Sequence, residues 1–341
     1  MNSQSAEYPL ATVVVVCLNE FGKIGHCLQS LLELDYEKGG YEILVVDNDS
    51  TDGTKEFLMD FEKRVALPRF RYIVNPAKGI AGSRNIGLRE ASHDLVAFTD
   101  ADCVVPKGWL SCLVASFMEI RKRDEHLIAV GGANFPPKDT SAFYDALSIT
   151  LKTYMGNRGS TQGRVFDKIT KVPHMPTVNI LYDRNKVLAA GGFDETFATV
   201  CEDPELHHRL GQKGYSIYFV PGGHVWHHMR DTLVSYGKNI FNYGLGRVRI
   251  IRKHPEHYSN VYLLPPLVFL ALVFGNIIGM AHPYFLLVNL YFIILLAYSF
   301  VVALVNNRPE LTFAIFLIYT TTHLAYAAGE LKELLLGKQQ G

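Results

Sequence analysis

The sequence predicts an α/β fold with a mostly parallel sheet, followed by a helical region that crosses a membrane. Over the first hundred residues, apolar runs of strand length alternate with amphipathic helical segments. Such alternation is typical of βαβ units, whose crossover helices make neighbouring strands parallel. The last quarter of the chain instead contains long stretches without any charged residue. These two patterns predict a soluble domain joined to a membrane anchor.

The elements of the α/β part can be placed in order along the chain. The predicted strands are residues 11–18, 41–46, 70–74, 95–99, 127–134, 177–182 and 215–220. The predicted helices are residues 22–34, 53–62, 79–91, 107–121 and 203–213, with a less regular stretch at 135–172. The first strand is a continuous run rich in β-branched residues, which is typical of a central strand buried on both faces.

The membrane region begins after a cluster of basic residues. No Asp, Glu, Lys or Arg occurs between residues 257 and 307, a run that accommodates two helices of about 20 residues each. We place the spans near 261–280 and 284–305, and a third, less apolar run at 311–329. A buried helical hairpin in a soluble domain is the alternative, but the complete lack of charge favours membrane spans.

The basic residues predict the orientation of these spans. They flank the first span and separate the second from the third: Arg247, Arg249, Arg252, Lys253 and Arg308. The positive-inside rule places them, and the N-terminal domain with them, in the cytoplasm. We therefore expect a multi-pass protein of the cell membrane, with no N-terminal signal peptide. The expected domains are 1–230, an amphipathic connecting helix at 231–258, and about three transmembrane helices with a short tail at 259–341.

Overall composition excludes two other classes of protein. Thirty-three basic residues balance 33 acidic ones, so nothing indicates binding to nucleic acid. The five cysteines are scattered without a C-x-x-C pair, which argues against a structural zinc site or a disulfide framework. This cysteine usage fits a reducing compartment.

Polar motifs follow the predicted strands at the edge where open α/β sheets bind ligands. The motifs comprise Asn19 and Glu20, Asp47 and Asp49, Lys78 and Arg84, Asp100 and Asp102, and Glu202 and Asp203. The D-x-D pair directly after the strand at 95–99 offers hard oxygen ligands, which suit Mg²⁺ or Mn²⁺ bound together with substrate phosphates.

In this order, the motifs resemble those of the family 2 glycosyltransferases. The matching segments are VCLNE, VVDNDSTDGT, KGIAGSRNIGL, FTDADC, GGFDETF and CEDPELHHRLGQKGY, over roughly residues 10–230. The resemblance implies a GT-A fold, which is the Rossmann-like fold of nucleotide-diphospho-sugar transferases. The membrane tail is similar to that of bacterial and archaeal members that build exopolysaccharides or lipid-linked glycans.

The resemblance implies an enzyme that moves a sugar, with inversion, from a nucleotide diphosphate sugar to a hydroxyl of a lipid-linked saccharide. The alternatives are a polyprenyl-phosphate sugar synthase, in which a lipid phosphate attacks, a processive synthase, and a non-catalytic sugar-nucleotide-binding scaffold. The membrane-proximal sequence YGLGRVR lacks the Gln and Trp of the processive motif, which argues against the processive synthase.

The resemblance also implies roles for the donor-side residues. Asp49 corresponds to the nucleotide-contacting acid, with Asp47 sharing that role, and Asn19 and Glu20 lie at the same edge. Lys78 and Arg84 are expected to contact the base or the pyrophosphate, since arginine pairs with phosphate in a bidentate manner. Arg247 is expected either to hold a donor or lipid phosphate or to anchor the chain against anionic lipid.

The remaining roles concern the metal and the acceptor. Asp100 and Asp102 are the expected metal ligands, and either His227 or His228 is a candidate third ligand, because imidazole suits Mn²⁺ better than Mg²⁺. Asp203 is the expected general base for the acceptor hydroxyl, with Glu202 as the alternative. Asp203 also precedes Pro204, a pattern that favours a helix start and is compatible with catalysis.

Overall fold

The computed structural model describes residues 9–36, 40–65, 70–77, 79–137, 141–157, 166–197, 200–229 and 231–337. The chain divides into two compact units. The α/β unit comprises Met1–Pro136 with Ser160–Met229, and the helical unit comprises Pro137–Gly159 with Arg230–Gly341. Of the segment at 137–159, the described residues 141–157 belong to the helical unit.

Eleven strands and 12 α-helices are described, and their bounds follow in chain order. The strands are β1 (Ala11–Cys17), β2 (Tyr41–Asp47), β3 (Phe70–Val74), β4 (Leu95–Asp100), β5 (Cys103–Val104), β6 (Leu127–Gly131), β7 (Asn134–Phe135), β8 (Thr170–Val172), β9 (Asn179–Asp183), β10 (Ser216–Phe219) and β11 (Val225–His227). The helices are α1 (Phe21–Leu32), α2 (Thr54–Arg64), α3 (Ile80–Glu90), α4 (Trp109–Arg121), α5 (Ala142–Leu151), α6 (Tyr154–Asn157), α7 (Arg184–Ala189), α8 (Glu202–Gln212), α9 (Leu233–Lys253), α10 (Leu264–Gly279), α11 (Leu290–Val305) and α12 (Thr312–Leu336).

The α/β unit is built on an eight-stranded sheet in the order β3-β2-β1-β4-β9-β6-β10-β8. The first four strands pair in parallel, whereas β9 runs antiparallel to both β4 and β6. The sheet is therefore mainly parallel, which confirms the predicted fold class. The parallel pairing brings the carboxyl ends of β1, β2 and β4 to one edge, where the polar motifs lie.

Alternate residues of β1 supply two separate cores, one on each face of the sheet. Val13 and Val15 pack with residues of α1 and α4, whereas Val14 and Val16 pack with residues of α3 and α8. Successive side chains of a strand point to opposite faces, so a strand covered on both sides must be apolar throughout. This burial explains the continuous valine run and fixes the sheet edge that carries the site.

A second, three-stranded sheet in the order β5-β11-β7 was not predicted. Its strands contain only two or three residues, too few for an alternating pattern to be visible. In this sheet Trp226 and His227 pair with Val104 and Cys103, in antiparallel register. The small sheet therefore delivers His227 to the segment that carries the D-x-D acids.

The helical unit contains α5, α6 and α9–α12. Three of its helical segments are long and apolar enough to cross a membrane: Asn260–Gly279, Pro283–Val305 and Pro309–Leu336. These include short 3₁₀ turns, and the last continues α12 through the expected tail. The helix α5, within the stretch expected to be irregular, begins at Ser141, whose hydroxyl accepts a hydrogen bond from the Tyr144 amide.

Candidate active site

The two acids of the D-x-D motif lie at the end of β4. Asp100 is the last residue of that strand, and Asp102 lies in the turn that leads into β5. Their side chains are partly exposed, at 28% and 14% respectively. Burial and the charge of Asp102 raise the pKa of Asp100, although Arg84 opposes that shift. Two carboxylates separated by one residue at the end of a strand repel each other, and a bound cation relieves that repulsion.

His227 faces Asp102 across the small sheet. Its Nε2 lies 3.3 Å from Asp102 Oδ1, and its Nδ1 is buried without a hydrogen-bond partner in the described structure. Burial lowers the pKa of His227, but the carboxylates of Asp102 and Asp100 outweigh burial and raise it. His228 instead uses its backbone amide, which donates to the Asp102 carbonyl at 2.9 Å.

The donor set around Asp102 fits a divalent metal ion. Potential ligand atoms of Asp102, Cys103 and His227 lie within 4.8 Å of one another. Burial and the neighbouring acids raise the pKa of Cys103 well above its usual value, so its sulfur stays a thiol and is a poor ligand. A carboxylate oxygen and an imidazole nitrogen remain, and this pair suits Mn²⁺.

Arg84 connects the D-x-D segment with the start of α8. The guanidinium group is buried; one terminal nitrogen lies 3.6 Å from Asp100 Oδ1, and the other forms an ion pair with Glu202. The same group stacks over the Phe193 ring at 5.8 Å. The side chain expected to contact the pyrophosphate is therefore held between two acids of the site. Glu202, the alternative base, is almost fully buried in this pair.

Asp203 lies in the first turn of α8, where the helix dipole favours a negative charge. Its Oδ2 accepts a hydrogen bond from the Thr177 amide at 3.3 Å and lies 3.4 Å from His174 Nε2. Burial raises the pKa of Asp203, but the hydrogen bond and charge of His174, with the charge of Arg84, lower it to about 2. The carboxylate is therefore held in its ionised form.

His207 supports this arrangement from the same helix. Its Nδ1 accepts a hydrogen bond from the Met175 amide at 3.4 Å, and its Nε2 lies 2.6 Å from the Tyr182 hydroxyl. Burial, with the charge of His174, lowers the pKa of His207 to about 3, so this ring is neutral. The rings of His174 and His207 meet edge to face at 5.2 Å.

Asp47, the last residue of β2, stabilises the loop that follows the strand. Asp47 is fully buried, and its carboxylate accepts hydrogen bonds from the Ser50 amide at 3.1 Å and the Tyr72 hydroxyl at 3.0 Å. Asp49, in a left-handed conformation with φ of 62°, is partly exposed and pairs with Lys55 at 2.6 Å. Of these two acids, Asp49 is the one that reaches solvent.

The loop after β1 is joined to the loop after β2. Asn19 Oδ1 accepts a hydrogen bond from the Thr51 amide at 2.8 Å, while Glu20 forms an ion pair with Lys23 at 3.3 Å. Lys78 lies outside the described residues. The structure therefore brings the loops after β1 and β2 into contact.

Arg247 lies in α9, in the helical unit. Its Nε donates to the Tyr326 hydroxyl at 3.2 Å, and its guanidinium stacks 4.7 Å from the centre of the Tyr262 ring. Aromatic and hydroxyl groups thus fix this side chain between α9, α12 and the turn before α10.

Sequence reasoning missed His174 and His207. Asp203 and His207 are four residues apart in a predicted helix, so their shared face was a usable signal. His174 had no such signal, because it lies in an irregular segment 29 residues before Asp203. The pairing of Arg84 with Glu202, across 118 residues, was likewise invisible in the sequence.

Comparison with known proteins identifies a family and several relatives of this chain. The sequence model of glycosyl transferase family 2 matches residues 12–187, more than half of the chain. The succinoglycan biosynthesis protein ExoA of Rhizobium meliloti is 26% identical, over 98% of each chain. A dolichyl N-acetyl-alpha-D-glucosaminyl phosphate 3-beta-D-2,3-diacetamido-2,3-dideoxy-beta-D-glucuronosyltransferase of Methanococcus voltae is 24% identical, over 96% of this chain and 97% of its own.

Solved structures show the same fold. The mannosyltransferase PcManGT from Pyrobaculum calidifontis, in complex with GDP-Man and Mn²⁺, superposes with a TM-score of 0.61 and 20% identity. That alignment covers 98% of this chain and 89% of the other.

Proposed function

The chain belongs to glycosyl transferase family 2, and from this membership we propose that it transfers one sugar from a nucleotide diphosphate sugar to a hydroxyl group of a lipid-linked saccharide. It is a glycosyltransferase of polysaccharide or lipid-linked glycan synthesis, as its full-length relatives are. The finer assignments, which are an inverting mechanism, a divalent metal and a lipid-borne acceptor, are our proposal.

One observation above all supports a hydroxyl acceptor: Asp203 is ionised and partly exposed, accepts a hydrogen bond from the Thr177 amide, and lies 3.4 Å from His174 Nε2. A sugar hydroxyl is a weak nucleophile, and a positioned carboxylate that takes its proton contributes roughly a 10²–10⁴-fold rate increase. In the proposed step the hydroxyl oxygen bonds to the anomeric carbon. The bond from that carbon to the diphosphate oxygen breaks, its electron pair leaves with the nucleotide, and the hydroxyl proton passes to Asp203.

The donor diphosphate is proposed to bind at the D-x-D edge. Asp102 and His227 would hold Mn²⁺ or Mg²⁺, with Asp100 beside them, and the bound ion would offset the charge that develops on the leaving diphosphate. Arg84 fixes the position of Asp100 relative to α8. Because attack comes from the Asp203 side and departure occurs toward the D-x-D side, the proposed displacement inverts the anomeric configuration.

The membrane region supports a lipid-borne acceptor. Three apolar helices are long enough to cross a bilayer, and an anchored enzyme shares one surface with a lipid-linked substrate. The name of the Methanococcus voltae relative includes a sugar linked to dolichyl phosphate, which supports the same acceptor class. We propose that the α/β unit lies on the cytoplasmic side of the membrane, because the basic residues of α9 follow the positive-inside rule.

The test measures the release of nucleoside diphosphate by the purified full-length chain. UDP-, GDP- and dTDP-sugars are supplied with Mn²⁺, with and without a lipid extract, and the product is examined by NMR for its anomeric configuration. The proposal predicts lipid-stimulated turnover with inversion, a roughly 10²–10⁴-fold loss in Asp203→Asn, and loss of metal dependence in Asp102→Asn. The matched control is Asp60→Asn, an exposed acid on α2.

Two outcomes would contradict the proposal in distinguishable ways. Turnover that survives Asp203→Asn would indicate an acceptor that is already ionised, which is the polyprenyl-phosphate reaction. Turnover that is unaffected by removal of divalent metal would exclude the role of Asp102 and His227. The donor that gives lipid-stimulated turnover identifies the base and the sugar.

A further inference from the structure

An open groove lies between α9 and α12, within the helical unit. Its volume is about 460 Å³, and it is lined by Gly237, Lys238, Phe241, Asn242 and Ala325. This volume falls in the range of small-molecule sites. A Cβ at Gly237 would lie 3.1 Å from Thr321 Cγ2, so this glycine lets α9 pack closely on α12, while the lysine, the amide and the aromatic ring supply the contacts of the groove. The groove therefore combines a positive charge, a hydrogen-bonding amide and an apolar wall.

A second lysine extends the positive charge of the groove. Lys332 Nζ lies 5.5 Å from the centre of the Phe241 ring, and both Lys332 and Lys238 are exposed. Lys332 is seven residues after Ala325, so both lie on one face of α12. Within the described residues, neither lysine forms an ion pair with a carboxylate. The groove thus has two cations available to an anionic ligand.

The three arginines of α9 are already engaged. Arg249 and Arg252 both pair with Glu333, at 3.1 Å and 3.2 Å, and that glutamate is almost fully buried. Arg247 is stacked against Tyr262. Internal partners therefore neutralise or occupy the arginines, and the two lysines are left to face outward.

Ion pairs hold both ends of α12 to other helices of the helical unit. At its start, Arg308 pairs with Asp145 of α5 at 3.0 Å, and the segment carrying α5 is flanked on both sides by the α/β unit. The helix α5 has 10 residues and rises about 15 Å, so it is too short to cross a bilayer. At its other end, Glu333 joins the basic helix α9, which directly follows the α/β unit.

A helix held at both ends in this way can lie along the membrane surface. The end of α12 exposes Leu334, Leu335 and Leu336, at 51%, 79% and 76%, which suits contact with the acyl region of a lipid surface. The groove then lies at the depth of the lipid headgroups.

We propose that the α9–α12 groove binds the phosphate headgroup of an anionic phospholipid from the surrounding membrane. Lys238 and Lys332 pair with the phosphate, Asn242 donates a hydrogen bond, and Phe241 contacts the start of the acyl chains. The charges and the apolar wall match such a lipid, whereas free phosphate would gain nothing from the ring or the leucines.

The experiment measures lipid binding to the purified full-length protein by native mass spectrometry. Phosphatidylglycerol and phosphatidylcholine are titrated separately, and inorganic phosphate is added as a competitor. We expect preferential binding of phosphatidylglycerol, weakened about tenfold to thirtyfold in Lys238→Gln/Lys332→Gln, since each surface lysine contributes roughly one factor of five. The control Lys63→Gln/Lys122→Gln removes two exposed lysines of the α/β unit and should bind as the wild type does.

Three results would overturn the proposal: equal binding of the two lipids, equal binding by wild type and the groove variant, or displacement of the lipid by inorganic phosphate. Nucleoside diphosphate release by the detergent-solubilised groove variant should equal that of the wild type. That readout separates a failed lipid site from a failed assignment of the enzymatic reaction.

Discussion

At the scale of single residues, the protonation state of Asp203 depends on its neighbours. Burial alone would raise the pKa of this carboxyl. His174 and Arg84 outweigh burial and lower the pKa, while Asp100 is the nearby like charge. The result is a carboxylate that is ionised and partly exposed. His174 is therefore a positioning residue for the proposed base.

We predict that His174→Ala moves the acid limb of the pH–rate profile to higher pH. The folded-state pKa of Asp203 is lowered to about 2, largely by His174, so the wild-type base stays ionised until the pH falls toward that value. Without His174 the burial effect dominates, the pKa rises, and activity is lost earlier as the pH falls. The measurement is kcat against pH, with saturating donor.

The exposed His126 provides the control for this experiment. His126→Ala removes an imidazole from the surface of the α/β unit and should leave the profile unchanged. A His174→Ala variant whose rate falls equally at every pH would show that His174 has only a structural role.

Arg84 and Glu202 form a buried pair whose members depend on each other. We predict that Arg84→Met lowers stability by roughly 3–5 kcal/mol, because it leaves the Glu202 carboxylate buried without its cation. The double variant Arg84→Met/Glu202→Met should be less destabilised than Arg84→Met, since no charge is left unpaired. Thermal unfolding in detergent measures both variants. If the two substitutions add without coupling, the pair does not function as a unit.

At the scale of elements, glycines set the distance between α9 and α12. A Cβ at Gly329 would lie 2.1 Å from the Phe241 carbonyl oxygen, and a Cβ at Gly244 would lie 2.2 Å from the Tyr326 carbonyl oxygen. In both cases the obstacle is backbone, which cannot rotate away. The two helices therefore make backbone contact, and the groove depends on this close approach.

We predict that Gly329→Ala lowers the thermal unfolding midpoint, at a cost of about 1–3 kcal/mol, because the added methyl group forces the two helices apart. Gly211→Ala in α8 is the matched control, since a Cβ there meets nothing within 4 Å. The control should gain roughly 0.5–1 kcal/mol from the better helix propensity of alanine. A neutral Gly329→Ala would mean that α9 and α12 separate easily.

The elements that could be predicted from the sequence are those with enough residues to show a period. The four parallel strands and their crossover helices were predicted within about two residues of their ends. The strands of the small sheet were too short, and the apolar composition of α5 gave no helical face to recognise.

The acids at the strand ends were predictable because parallel pairing gathers them at one edge. The contacts of His174 and Arg84 depend on how distant segments pack, which no local pattern encodes.

At the scale of the whole molecule, the contacts at the two ends of α12 bear on how often the chain crosses the membrane. The segments that carry α5 and α9 each follow a part of the α/β unit along the chain. If α10 and α11 form a hairpin, the chain returns at Arg308 to the side of the membrane on which α9 lies. The contact between Arg249 and Glu333 then keeps the end of α12 there as well.

We therefore predict that a reporter fused after residue 341 lies on the same side of the membrane as one fused before residue 1. A fluorescent protein that folds only in the cytoplasm should be bright at both positions, and an alkaline phosphatase that requires export should be inactive at both. A reporter inserted at His282, in the turn between α10 and α11, is the control and should give the opposite result, because two spans of about 20 residues each place that turn across the bilayer. Opposite signals from the two termini would show that α12 crosses the membrane. The α9–α12 groove could not then lie at the headgroup surface, since Lys238 would be carried into the hydrocarbon, where an unpaired lysine costs about 2.5–3.5 kcal/mol.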